Sequence, residues 1–119
     1  MAKILIIEDE AALAKNLAFA LNEKHQVILA LTGKEGLSKI KSEKPDFILL
    51  DVMLPDITGF EILKELKSDN KTEDIPVLVS TNLDDKETVA KIIDAGGRDY
   101  VVKSDWKIED IVKKIESYL

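Results

Sequence analysis

The chain of 119 residues has no cysteine, which excludes disulfides and thiolate metal centres. It has no apolar stretch approaching the ~20 residues of a membrane span, and no secretory h-region follows Met1. The simplest compartment expected is the cytoplasm. Basic runs are missing as well. The formal net charge is −6, and the lysines are interspersed with acids in the usual pattern of solvated helix faces. Nucleic-acid binding by this chain is therefore not expected, because neutralising phosphates needs clustered Lys and Arg. Linkers, repeats and low-complexity tracts are absent too, so residues 1–119 are expected to form one compact domain.

Apolar runs and amphipathic segments alternate along the chain. The runs are Lys3–Ile7, Gln26–Ala30, Phe47–Leu50, Val77–Ser80 and Tyr100–Val102. Between them, Leu13, Leu17 and Leu21 recur at helical spacing, as do Leu37 and Ile40, then Ile62, Leu63 and Leu66, then Val89, Ile92 and Ile93, and finally Ile108, Ile111, Val112 and Ile115. Thr32 with Glu35, and Thr58 with Glu61, have capping-box spacing. Gly96-Gly97 reads as a left-handed helix stop, and Pro76 precedes a strand, where a missing N–H costs little. Strands alternating with helices imply βαβ units and a parallel sheet. The expected fold is α/β, a flavodoxin-like, doubly wound (βα)5 three-layer sandwich with strand order 2-1-3-4-5.

That order places the first and third strands side by side, with ligands expected at their carboxyl ends. Glu8-Asp9-Glu10 follows the first strand, and Asp51 closes the third. Carboxylates crowded at one rim repel unless a cation or proton intervenes, so the sequence asks for a metal. Thr81 and Lys103 close the same rim from the fourth and fifth strands. Taken alone, Asp51 reads equally well as a turn cap and Lys103 as a surface lysine. Ser80 could replace Thr81, although strand alternation favours Thr81.

The segments Ile4-Leu-Ile-Ile-Glu-Asp-Glu10, Asp51-Val-Met-Leu-Pro-Asp-Ile-Thr-Gly59, Ile75-Pro-Val-Leu-Val-Ser-Thr81 and Asp99-Tyr-Val-Val-Lys103 resemble the receiver domain of two-component response regulators, including the single-domain chemotaxis type. The resemblance covers the whole chain. It implies that Asp51 accepts a phosphoryl group from a sensor histidine kinase or phosphotransfer protein, and that the chain is no enzyme beyond its own phosphorylation and dephosphorylation. It implies Mg²⁺ held by Asp9, Asp51 and the Met53 carbonyl, with Glu8 acting through water or as a further ligand. Lys103 would pair with Asp51 and then with a phosphoryl oxygen, and the Thr81 hydroxyl would bond the phosphoryl group. Movement of Thr81 would let Tyr100 turn inward and reshape the face read by a downstream target or a fused output domain; Tyr100 as plain core filler is the alternative. Met53 and Asn82 would flank the water that hydrolyses the acyl phosphate, Asn82 either restricting that water or orienting it.

The chain departs from the family's usual pattern in several places: Asn82 stands where a small residue is common, and the stretch between Asp9 and Asp51 is slightly short. Glu8-Asp9 stands where two aspartates are usual, and Ser104 follows Lys103 in place of proline, so a trans bond is expected there. Trp106 reads as a packing residue in the loop that follows. His25 reads as a solvated loop residue away from the rim. Ala11, Ala14 and Lys15, beside the acidic group, are expected to form a kinase-docking surface. A flavodoxin would need a phosphate-cradling loop where Glu8-Asp9-Glu10 stands, and an aspartyl phosphohydrolase would need a cap or second domain. A degenerate receiver serving only as an interaction module is opposed by the retention of all five chemical groups. Both a stand-alone receiver and one domain of a longer regulator remain open.

Overall fold

A computed structural model describes residues 1–82 and 85–119. The elements are β1 (Lys3–Ile7), α1 (Ala11–Leu21), β2 (Gln26–Ala30), α2 (Gly33–Glu43), β3 (Phe47–Asp51), α3 (Gly59–Ser68), β4 (Val77–Thr81), α4 (Lys86–Asp94), β5 (Tyr100–Val102) and α5 (Ile108–Glu116), with a 3-10 turn at Lys103–Asp105. The strands form one parallel sheet in the order β2-β1-β3-β4-β5. Both the fold class and the strand order are as the alternation of runs implies. β3 and β4 each extend one residue beyond the apolar run. Asp51 pairs laterally with Ser80, and Thr81 with Val102. Both side chains are thus fixed by ladder geometry rather than by a loop.

Two cores lie on opposite faces of the sheet. Leu5, Ile7, Ile48, Leu50, Val77 and Val79 meet α2, α3 and α4 through Ile40, Ile62, Leu63, Leu66 and Ile92. Ile4, Ile6, Phe47, Leu49, Leu78 and Val101 meet α1 and α5 through Ala14, Leu17, Leu21, Ile111 and Ile115. Successive strand residues point to opposite faces, which is why apolar side chains fill every position of the central runs: each face has its own helices to bury against. Truncating one of the fully buried anchors, such as Ile62 or Leu63, costs on the order of 3 kcal/mol.

Local signals act where the sequence places them. The Thr32 hydroxyl accepts from Glu35 N at 3.1 Å, and the Thr58 hydroxyl from Glu61 N at 3.3 Å. Gly96 takes φ +99°, and its N–H bonds the Ile93 carbonyl to end α4. Asp56 was legible only as a turn residue, yet its carboxylate accepts from Gly33 N at 2.7 Å and Lys34 N at 2.8 Å. This clips the loop after β3 onto the N-terminus of α2, where a negative charge is favoured. The Lys34 N–H is the largest influence holding the Asp56 carboxyl below its ordinary pKa.

Three expectations are corrected. Ala14 is fully buried in the core beneath α1, so it cannot belong to a docking surface; Ala11 and Lys15 are exposed. Ile93, assigned to the inner face of α4, is 63% exposed, because the helix turns Thr88 and Ile92 onto the sheet and leaves Ile93 on its outer side. His25 is not solvated. Its side chain is 12% exposed, its Nδ1 accepts from Ala2 N at 3.2 Å, and its Nε2 lies 3.5 Å from Glu116 Oε2. It ties the amino-terminal edge of the sheet to α5, at the end opposite the acidic rim.

Candidate functional site

The register Ile7↔Leu50 puts Glu8 and Asp51 at adjacent positions where β1 and β3 end. Both are 1% exposed, an arrangement two buried carboxylates sustain only with a cation or a proton between them. Lys103 supplies it. Its Nζ lies 2.5 Å from Glu8 Oε1, 3.0 Å from Asp51 Oδ2 and 3.6 Å from Glu10 Oε1, and its side chain is 7% exposed. The remaining oxygens are held by the backbone: Asp51 Oδ1 accepts from Met53 N at 3.0 Å, and Glu8 Oε2 from Glu10 N at 3.0 Å. Lys103 reaches this position because β5 ends one residue earlier. Its stem crosses β4, which lies between β5 and β3.

The electrostatics follow from this packing. Burial is the largest influence on Glu8 and lifts its pKa from 4.5 to about 7 against the downward pull of Lys103. Burial also opposes the charge on Lys103, but the contacts with Glu8 and Asp51 outweigh it and raise the ammonium's pKa.

Glu8, Asp9 and Asp51 each offer a carboxylate oxygen, all within 4.8 Å of one another. An all-oxygen, multiply negative donor set suits a hard divalent cation such as Mg²⁺. Asp9 is exposed and leaves the set open to solvent on one side. The residues present therefore fit the implied metal, with Lys103 as the cation already satisfying part of that charge.

Thr81 is fully buried at the end of β4, one pleat beyond Val79 on the α4 face. Tyr100 is the lateral partner of Val79, is half-buried, and packs against that same core. The predicted switch pair thus shares one face of the sheet. Ser80 points to the opposite face, so alternation separates the two hydroxyls as expected. Met53, two residues after Asp51, is 59% exposed, and Asn82, directly after Thr81, is exposed. The Lys103–Ser104 peptide is trans, and the chain enters the 3-10 turn at once. Half-buried Trp106 packs on the α1/α5 core. Sequence reasoning passed over Glu10 as a lysine partner, although its place in the acidic triplet was a signal.

Fold and rim together define a class: a doubly wound parallel α/β protein with a lysine-bridged carboxylate cluster at its switch point. A family model described as the response regulator receiver domain matches residues 4–116. The chain belongs to the response regulator receiver domain family. It is 38% identical over 120 residues to the response regulator ArlR of Staphylococcus saprophyticus, covering 100% of this chain and 53% of that protein. It is 35% identical over 104 residues to Protein PilH of Pseudomonas aeruginosa, covering 87% of this chain and 86% of that one. Among solved structures, chemotaxis response regulator CheY4 of Vibrio cholerae superposes with a TM-score of 0.91 at 27% identity, covering 100% of this chain and 99% of that chain. The chain spans about half the length of several curated relatives it matches, among them ArlR and AfsQ1 of Streptomyces coelicolor. Receiver domains accept phosphoryl groups from histidine kinases and regulate outputs. They are phosphoacceptors rather than enzymes with turnover. Among the described residues no helix is long and apolar enough to cross a membrane.

Proposed function

We propose that residues 1–119 act as one receiver domain in which Asp51 is the phosphoacceptor. The observation that carries this is the Lys103 ammonium bridging two buried carboxylates, with Asp9 beside them at the open rim. In the transfer step a carboxylate oxygen of Asp51 attacks phosphorus. The new O–P bond forms as the P–N bond of the donor phosphohistidine breaks, and its electron pair stays on the imidazole nitrogen. The Met53 N–H orients the carboxylate and Lys103 offsets charge on the phosphoryl oxygens, so positioning and electrostatics do the work without a general base. Mg²⁺ held by Asp9, Asp51, the Met53 carbonyl and, directly or through water, Glu8 supplies neutralisation of the phosphoryl charge when bound.

Phosphorylation adds about two negative charges and three acceptor oxygens. The Thr81 hydroxyl turns to bond them, and the space it leaves admits Tyr100. The α4–β5–α5 face then carries the signal to a target protein or output domain as a population shift. A solved relative, 32% identical, is described as a BeF3-activated receiver domain, which supports beryllofluoride as the probe here. Self-catalysed hydrolysis of the acyl phosphate completes the cycle, with Met53 and Asn82 as the tuning positions. The test is intact-protein mass spectrometry after acetyl phosphate with Mg²⁺. The wild type gains one phosphoryl group and Asp51→Asn gains none; equal labelling of the two overturns the assignment. Amide NMR shifts on adding beryllofluoride test the switch, which is wrong if nothing beyond the Asp51 pocket moves.

A further inference from the structure

Ser80 is 3% exposed, and among the described residues its Oγ is the buried side-chain polar atom that lacks a hydrogen-bond partner. A buried, unsatisfied hydroxyl costs stability, and this one replaces what the neighbouring pattern would fill with an apolar side chain. Its place is specific. Ser80 is the lateral partner of Asp51 on one side and of Val101 on the other. By strand alternation its side chain shares the α1/α5 face with Leu49, Leu78 and Val101. Lys103, two residues beyond Val101, spans the width of β4 to bring its Nζ within 3.0 Å of Asp51 Oδ2. Register and alternation therefore put the hydroxyl on the strand next to the phosphoacceptor, on the face shared with Leu49 and Val101. An ammonium has three N–H donors. In the resting protein Glu8 and Asp51 take two at 2.5 and 3.0 Å, while Glu10 stands off at 3.6 Å.

We propose that Ser80 is a positioning residue for Lys103, resting on the reading of Asp51 as phosphoacceptor. Once Asp51 carries the phosphoryl group as an acyl phosphate, the oxygen bonded to phosphorus is neutral and bridging, and the ammonium loses that charged acceptor. The Ser80 hydroxyl then accepts an N–H from Lys103 and holds the ammonium over the phosphoryl oxygens. The hydroxyl is unpaired at rest because its partner arrives only in the phosphorylated state.

The test compares Ser80→Ala and Ser80→Thr, each with Lys103 intact and with Lys103→Met. The readouts are beryllofluoride affinity with Mg²⁺, followed by amide NMR, and thermal unfolding in EDTA. With Lys103 present, Ser80→Ala weakens beryllofluoride binding about tenfold, the contribution of one hydrogen bond to an ammonium. Ser80→Thr stays within about threefold of wild type by that measure, because the acceptor is retained. In the Lys103→Met background Ser80→Ala changes nothing further, as a shared pathway requires. In EDTA, Ser80→Ala melts about 4 °C higher, since an unsatisfied hydroxyl is gone. The inference is overturned if Ser80→Ala binds as wild type does, if its loss persists without Lys103, if Thr fails to rescue, or if the metal-free melting point does not rise. Wild-type labelling at Asp51 by acetyl phosphate is the control that separates the two readings. Its failure sinks the phosphoacceptor assignment, whereas intact labelling with any of those outcomes sinks only the role of Ser80.

Discussion

Replacing Lys103 with methionine isolates the electrostatic core of the site. Methionine keeps most of the stem volume and removes the ammonium that faces Glu8 and Asp51, whose side chains are each 2% exposed. Removing one partner of a buried ion pair costs about 3–5 kcal/mol. The lower end applies here. Glu8 has a pKa of about 7 even with the lysine present, so it takes up a proton, leaving Asp51 as the one uncompensated buried charge with its Met53 N–H still in place. At about 4 °C per kcal/mol for a domain of this size, a loss of about 3 kcal/mol lowers the melting temperature by about 12 °C in EDTA. Millimolar Mg²⁺ restores more stability to the variant than to the wild type, because it binds the native state alone and no ammonium then competes with it for the carboxylates. The sign with pH follows from Glu8. Its folded pKa lies above its unfolded value of about 4.5, so the native state binds more protons across that interval, and metal-free stability falls as pH rises from about 4.5 through 7. Without the lysine the Glu8 pKa climbs further and the falling region extends upward, so the gap between variant and wild type is wider at pH 8 than at pH 6. Circular dichroism melts in EDTA at both pH values decide the matter. A Lys103→Met variant that melts within 2 °C of wild type, taken as about half a kcal/mol, refutes the view that the lysine holds the cluster together.

Further outcomes concern the supports of the site. A Cβ on Gly59 would meet the Asp51 carbonyl oxygen at 2.4 Å and Val52 Cα at 2.6 Å, both backbone. Gly59→Ala therefore shifts the strand end that carries the phosphoacceptor, costing about 2–3 kcal/mol and lowering acetyl-phosphate labelling in the same samples. Thr58→Ala removes the N-cap of α3 and costs about 1 kcal/mol in urea unfolding, with labelling unchanged. Burial, and then the Asp99 carboxylate that accepts its hydroxyl, push the Tyr118 phenol up to about 12. Stability from this contact is whole below about pH 10 and is lost as pH rises toward 12, so Tyr118→Phe flattens that part of the alkaline unfolding profile.

The layers, the strand order and the identity of the rim residues are all readable in the order of residues along the chain. Binary pattern and turn chemistry are local, and right-handed crossovers leave few ways to assemble five βα units. From order alone Glu8, Asp9, Asp51, Thr81 and Lys103 fall at one edge, because strand ends in a parallel sheet share a direction. Tertiary structure decided everything that depends on how far a side chain reaches and what packs on it. That Glu8 bonds the lysine as well as offering an oxygen to the metal group follows from its burial beside Lys103. That Ala14 is core and Ile93 surface follows from the exact rotation of each helix, which apolar spacing leaves loose, and His25 is a largely buried tie because α5 and the chain start pack on its turn. The clip from Asp56 to the start of α2 joins segments distant in sequence, and no periodicity records it. The unpaired hydroxyl of Ser80 could be recognised only once both faces of β4 were filled, because satisfaction of a buried group is a property of its surroundings and not of the residue.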